Sequence, residues 1–135
     1  MEPSADLVRM WDAAEPAGRR KIGQIPICWD RDTEAAVTRA HDQFRWFAGG
    51  WKVNAELPGT AGFAGATQYV RPEDVAAAMP CGNDVDAVVQ AVRPFWEAGF
   101  TDVALVQIGG DSQDEFLEVA ASQLLPALRA AALAP

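Results

Sequence analysis

Hydrophobic positions along this chain change period several times, and each change marks an element. Leu7, Met10 and Trp11 recur at helical spacing and predict a short amphipathic helix, started by Pro3-Ser4-Ala5-Asp6 and ended by Pro16 and Gly18. From Lys21 to Asp30 the run Ile22, Ile25, Ile27, Trp29 predicts a strand closed by Asp30-Arg31-Asp32. Its Pro26 has no amide proton to give to a central ladder. Asp32-Thr33-Glu34 caps a helix that reaches about Ala48, with Ala36, Val37, Ala40, Phe44 and Phe47 on its apolar side. Arg71-Pro72-Glu73-Asp74 opens a short helix to about Ala78, and Met79 to Gly82 reads as a very short strand. Asn83 or Asp84 caps a helix that Pro94 should kink and Gly99 ends at Ala98. Thr101 to Ile108 is an apolar strand. Gly109-Gly110 then leads into a final helix with Ser112 and Glu115 as a capping box, bent or interrupted by Pro126.

Residues 51 to 70 fit no single period. Pro58-Gly59, Gly62 and Gly65 break long elements, while Trp51, Phe63 and Tyr69 argue against a disordered linker. Such a stretch in a compact domain is either a functional loop or an excursion packed on a rim. Strands alternating with helices imply an α/β fold, a parallel sheet with helices outside it. No strand is followed by a Gly-x-Gly-x-x-Gly turn, and no Walker loop is present, so a Rossmann or P-loop nucleotide site is not expected. Gly109-Gly110-Asp111-Ser112 at a strand-to-helix junction is either an anion cradle built from amides or a glycine-eased turn with a helix cap.

Composition narrows the function classes. The chain has 135 residues, enough for one domain with a real core; 50% are hydrophobic and 22% charged. A net charge of −8 argues against nucleic-acid and anionic-membrane partners. No apolar run in the first thirty residues suggests a signal peptide or a membrane span. Cys28 and Cys81 lack metal-ligand spacing and suit a reducing compartment, so the expectation is a cytoplasmic protein without a metal.

Several segments resemble one family. Gly23-Gln24-Ile25-Pro26-Ile27-Cys28-Trp29, Gly50 to Pro58, Val70 to Val75, Met79-Pro80-Cys81-Gly82 and Ala98 to Gly109 are similar to the luciferase-like oxidoreductases that use the deazaflavin coenzyme F420. The likeness runs in order from about Gly23 to Arg129 and is nearest to the subgroup of glucose-6-phosphate dehydrogenase-like proteins. It implies the C-terminal portion, about strands 6 to 8, of a (β/α)8 TIM barrel, with residues 51 to 78 as a Gly-rich rim excursion and short helix. On this division, residues 1 to 135 are a single partial barrel domain: an N-terminal helix (1 to 20), strand and helix (21 to 50), the excursion, short strand, helix and strand (79 to 110), and a final helix (111 to 135). Hydride transfer between a small organic substrate and F420 is the implied activity, with flavin mononucleotide (FMN) as the alternative cofactor. Most cofactor contacts and the proposed catalytic histidine of the family belong to its N-terminal half, so a chain of this length is expected to be inactive alone. His41, the only histidine, does not match that catalytic position. Around Ala77 the chain has alanine where sugar-phosphate enzymes carry an arginine, so a sugar phosphate is not implied.

Barrel sites gather at the C-terminal ends of strands. That rule selects Cys28, Trp29 and Asp30, then Cys81 and Gly82, then Gln107, Ile108 and Gly109. Trp29, Gln107 and Gly109 are the candidate cofactor contacts, and Trp51, Lys52 and Glu56 the candidate substrate contacts. Each has a structural alternative: core or rim packing for Trp29 and Trp51, a solvated amide for Gln107, and an ordinary surface ion pair for Lys52 and Glu56. The cysteines read as small buried hydrophobes, since no base stands ready to activate them. Glu34, Glu73 and Asp74 read as first-turn residues that complement helix dipoles. No catalytic residue is assigned. A partner half-barrel or a second copy could cover the open sheet edges. The alternative function is a catalytically dead barrel remnant acting as a small dimer or binding module.

Overall fold

The computed structural model describes residues 3 to 15 and 18 to 132. In chain order it contains α1 (Ala5–Ala14), β1 (Ile22–Ile27), α2 (Thr33–Phe44), a 3₁₀ turn (Arg45–Gly49), α3 (Gly50–Asn54), α4 (Gly59–Ala66), α5 (Pro72–Ala78), α6 (Val85–Glu97), β2 (Asp102–Gln107), α7 (Gln113–Val119), a π segment (Ala120–Leu124) and α8 (Leu125–Ala132). Among the described residues this is a mixed α/β chain, mostly helical, with one small parallel sheet. The expected helix stop at Pro16 lies outside the described residues.

β1 and β2 pair directly and in parallel, Ile22 opposite Asp102 and Ile27 opposite Gln107. This corrects one expectation. Met79 to Gly82 does not form a strand between them; it makes an isolated parallel bridge, Cys81 to Cys28, on the opposite side of β1. The alternation of the backbone explains how β1 accommodates Pro26. Ile27 O accepts from Ile108 N–H on the β2 side, whereas Cys28 N–H donates to Pro80 O on the other side. Pro26 shares the direction of Cys28, so the donor it lacks would have pointed at an open edge and no ladder bond is lost.

The two faces of the sheet are covered unequally. Ile25, Ile27 and Trp29 face a core with Val88, Val92 and Phe95 of α6, Phe116 of α7 and Leu124. On the other face, only the C-terminal end is covered: Cys28 and Ile108 meet Ala36 and Ala40 of α2 and Val75 and Met79 around α5. Below them Ile22, Gln24, Ala104 and Val106 are exposed.

Local signals act as the residue types require. Asp32 and Asp84 cap α2 and α6 by accepting two backbone amides each. Gly99, at φ +92°, ends α6, with Phe100 N–H returning to Phe95 O. Pro94 sits inside α6, which continues across it as one helix. At Pro126 the expected interruption takes the form of the wide π turn just before it. Leu125 N–H reaches back to Ala120 O, five residues away, and Ser122 Oγ bonds Glu118 O at 2.7 Å.

Three further expectations are corrected. Residues 51 to 70 are largely helical, as α3 and α4, because their small residues allow short helices around Phe63, whose ring meets Trp46 edge-on at 6.1 Å. The apolar side of α1 does not pack: Met10 is 72% exposed and Leu7 and Trp11 are open, while Val8 takes the buried place. Ser112 does not form a capping box. Its hydroxyl turns inward, and Glu115 pairs with Arg31 instead.

Gly23 is the tightest point of the sheet–helix contact, since a Cβ built there would overlap the Phe95 ring. That ring is held by Phe100, centroids 5.3 Å apart. Gly23→Ala should destabilise the fold by about 1–3 kcal/mol through overpacking, read as a lowered urea midpoint at unchanged slope.

Candidate functional site at the strand ends

Just past the last ladder pair, the Trp29 peptide is held by side chains. Gln107 Oε1 accepts from Trp29 N–H at 2.8 Å, and Gln107 Nε2 donates to Trp29 O at 3.0 Å. The side-chain amide thus imitates one more step of β-sheet where the strands have begun to part. The same Trp29 carbonyl also receives Ser112 Oγ at 3.3 Å and Arg39 Nη1 at 3.4 Å. Three donors from α2, β2 and the start of α7 converge on one backbone oxygen.

Arg39 is the polar centre of this end. Its Nη2 pairs with Asp30 Oδ2 at 2.5 Å, and its Nη1 lies 3.2 Å from Ser112 Oγ and 3.9 Å from Cys28 Sγ. Both side chains of the ion pair are 18% exposed, so solvent screens them only in part. Hydrogen bonds from Arg39, then from the Asp32 amide, hold the Asp30 carboxyl below its ordinary value. Gly110 makes room for the guanidinium: a Cβ there would stand 2.6 Å from Arg39 Nε. Sequence reasoning found Asp30 from its strand-end position but missed Arg39. The available signal was a cation between Ala36 and Ala40, two small residues that let α2 approach the strand end closely.

Burial keeps the thiols of the site protonated at rest. Cys28 is fully buried, and desolvation raises its pKa despite the nearby Arg39. Burial pushes the Cys81 thiol up to about 11. Cys28 thus fits the reading as a small buried hydrophobe, while Cys81 is only partly buried.

The candidate contacts fall into two groups. Trp29, Gln107 and Gly109 lie together at the strand ends. Trp29 is 7% exposed and packs inward, its ring 6.2 Å from Phe116, with Nε1 lacking a partner among the described residues. Gln107 is engaged by the Trp29 backbone, and Gly109 O accepts from Gln43 Nε2 at 3.2 Å. Trp51 and Lys52 lie on α3, with Glu56 just beyond it, and all three are exposed. No ion pair joins Lys52 to Glu56 among the described residues. His41 serves the fold: its Nε2 is 2.8 Å from Val70 O and ties α2 to the approach to α5. Beside Gly82 an apolar crevice lined by Ile27, Trp29, Val85 and Val88 offers about 10 Å³, room for a single water. No group of three or more His, Cys, Asp or Glu side chains among the described residues is placed to hold a metal ion. No helix among them is long and apolar enough to cross a membrane.

No known protein family matches the sequence as a whole, and no curated protein matches it. Among solved structures, the fold is similar to that of an F420-dependent secondary alcohol dehydrogenase in complex with an F420–acetone adduct. The TM-score is 0.61, with 18% identity over 85% of this chain. This chain spans 34% of the length of that enzyme chain. At that identity the likeness is one of fold.

A planar deazaflavin needs free donors, and at the strand ends the polar groups are bonded to one another. Trp29 is packed inside, the Gln107 amide and the Gly109 carbonyl are bonded within the chain, Arg39 is paired, and the crevice beside Gly82 has room only for a water-sized group. This end of the sheet is a self-bonded polar cluster at the tips of two strands.

Two substitutions test the cluster. Gln107→Met keeps the volume but strands the Trp29 amide and removes a donor from its carbonyl; the expected loss is about 1–3 kcal/mol in chemical denaturation. Asp30→Asn leaves the Arg39 charge unpaired and should cost about as much at pH 7. Because the folded Asp30 pKa is depressed, its stabilisation is fully present above the unfolded value of about 4 and is lost as pH falls through the folded value. The gap between wild type and Asp30→Asn should therefore be constant from pH 7 to 5 and close below about pH 4.

Proposed function

We propose that this chain forms the C-terminal portion of the (β/α)8 barrel of a luciferase-like F420-dependent oxidoreductase. On this reading, hydride transfer between a small organic substrate and the deazaflavin needs a complementing part of the barrel. The observation that carries the proposal is the fold likeness to an F420-dependent secondary alcohol dehydrogenase over 85% of the chain. The segment resemblance from Gly23 to Arg129 supports it independently. The uncovered half of the sheet face, with Ile22, Gln24, Ala104 and Val106 exposed, is in keeping with a barrel interior that awaits its other strands.

The residue roles follow from this assignment. Trp29, Gln107 and Gly109 support the cofactor mouth from behind, by holding the ends of two strands at a fixed distance. Trp51, Lys52 and Glu56 stand free on the rim, where a substrate with a polar or anionic group would meet them. F420 supplies the hydride chemistry when bound, while the protein's share is to position it and exclude water. FMN is the alternative occupant of the same mouth. The second reading, a catalytically dead barrel remnant working as a small dimer or binding module, draws support from the self-satisfied polar groups at the mouth.

A fluorescence-quenching titration separates the readings. F420 and, in parallel, FMN are titrated against the 135-residue chain, and against the same chain co-expressed with the segment encoded immediately upstream. The proposal expects no saturable quenching by the chain alone, and micromolar, saturable quenching by F420 with the pair. A folded pair that binds neither cofactor would overturn it in favour of the remnant.

A further inference from the structure

Cys28 and Cys81 are the only cysteines of the chain, and the fold sets them side by side. They are the two partners of the isolated parallel bridge. Cys28 N–H donates to Pro80 O at 2.9 Å, and Cys28 O accepts from Gly82 N–H at 2.9 Å, so both neighbours of Cys81 are fastened to the Cys28 peptide. Residues paired in this way project their side chains to the same face, with strands about 4.8 Å apart. That spacing lies inside the Cα separation of roughly 4.4–6.8 Å that a disulfide spans. Both side chains belong to one apolar cluster with Ala36, Val75 and Met79, Cys28 fully buried and Cys81 partly buried at its edge.

We propose that Cys28 and Cys81 form a modification site, a dithiol that a low-molecular-weight disulfide of the glutathione class converts into an intramolecular disulfide. The accessible Cys81 reacts first: its thiolate attacks one sulfur of the small disulfide, that S–S bond breaks, and one small thiol leaves with a proton. Cys28 sulfur then attacks the Cys81 sulfur of the mixed disulfide. The second small thiol departs and takes up the proton that Cys28 gives up. Two protein thiols are oxidised and one small disulfide is reduced to two thiols.

The surroundings assign an order and a consequence. Cys28 Sγ rests 3.8 Å from Ile108 O, which accepts its S–H, and 3.9 Å from Arg39 Nη1, a cation placed to stabilise the thiolate as it forms. Burial keeps both thiols protonated at rest, so the pair reacts through the proximity of its members rather than through intrinsic acidity. To reach Cys81, the Cys28 sulfur must leave Ile108 O and the guanidinium. Arg39 Nη1 is then left with Ser112 and Trp29 O, and the segment between α5 and α6 is stapled to β1 at the mouth. Oxidation would thereby fix the geometry of the same end that the proposed function uses, though the dithiol reading does not depend on that function.

The test is equilibration of the full chain with mixtures of reduced and oxidised glutathione, followed by alkylation of free thiols, intact mass and peptide mapping. The expected result is that both thiols disappear together in a monomeric chain and that peptides containing Cys28 and Cys81 are linked. A reductant should restore both. Cys28→Ser should stop at a stable mixed disulfide on Cys81. The proposal is overturned if folded wild-type chain keeps both thiols free, stops at the mixed disulfide with Cys28 unmodified, or forms dimers linked through Cys81.

Discussion

The carbonyl of Trp29 is the point on which the arrangement depends. Beyond Ile27 the two strands separate, and an unpaired backbone group there would cost about 1–3 kcal/mol. Gln107 closes the gap from β2, Ser112 from the start of α7 and Arg39 from α2. With the peptide held in this way, the indole is directed into the core beside Phe116, and the next residue, Asp30, is brought to Arg39. One backbone oxygen thus joins three elements that are far apart in sequence.

That economy shapes what the strand ends can do. Every strong polar group gathered there has a partner within the chain, apart from the indole Nε1 of Trp29. A site that reacts or binds by itself would keep donors free, or a base beside a nucleophile. Here the donors are engaged within the chain and the thiols are protonated at rest. These groups stand beside a sheet face that is only partly covered among the described residues.

Much of the fold was legible because its signals are local. Asp32, Asp84 and Gly99 bound their helices through their own side-chain or backbone chemistry, and the apolar strands at Ile22–Ile27 and Asp102–Gln107 stood out by composition. The misreadings share a cause: they turn on contacts between distant residues. Met79 to Gly82 reads as a very short strand, but its backbone makes only a single bridge, Cys81 to Cys28, on the far side of β1. The glycines of residues 51 to 70 suggest loops, yet contacts such as Trp46 with Phe63 accompany short helices there. Leu7, Met10 and Trp11 have the periodicity of a buried face, with nothing in the described chain to bury them. At the site, Trp29, Asp30 and Gln107 could be found from the strand-end rule. Arg39 could not, because its role depends on where α2 crosses the sheet.

The central claim is that β1 and β2 are direct neighbours and that, apart from the Cys28–Cys81 bridge, the outer edges of the sheet are open among the described residues. Residue-resolved native-state hydrogen exchange on the isolated chain tests it. The account predicts slow exchange for the amides of Ile25, Ile27, Ala104, Val106 and Ile108, which lie in the ladder, and for Trp29, which is held by Gln107. It predicts fast exchange for Gln24, Val103 and Leu105, whose amides face outward. Protection of Val103 and Leu105 equal to that of the ladder, or rapid exchange at Ala104 and Val106, would contradict it.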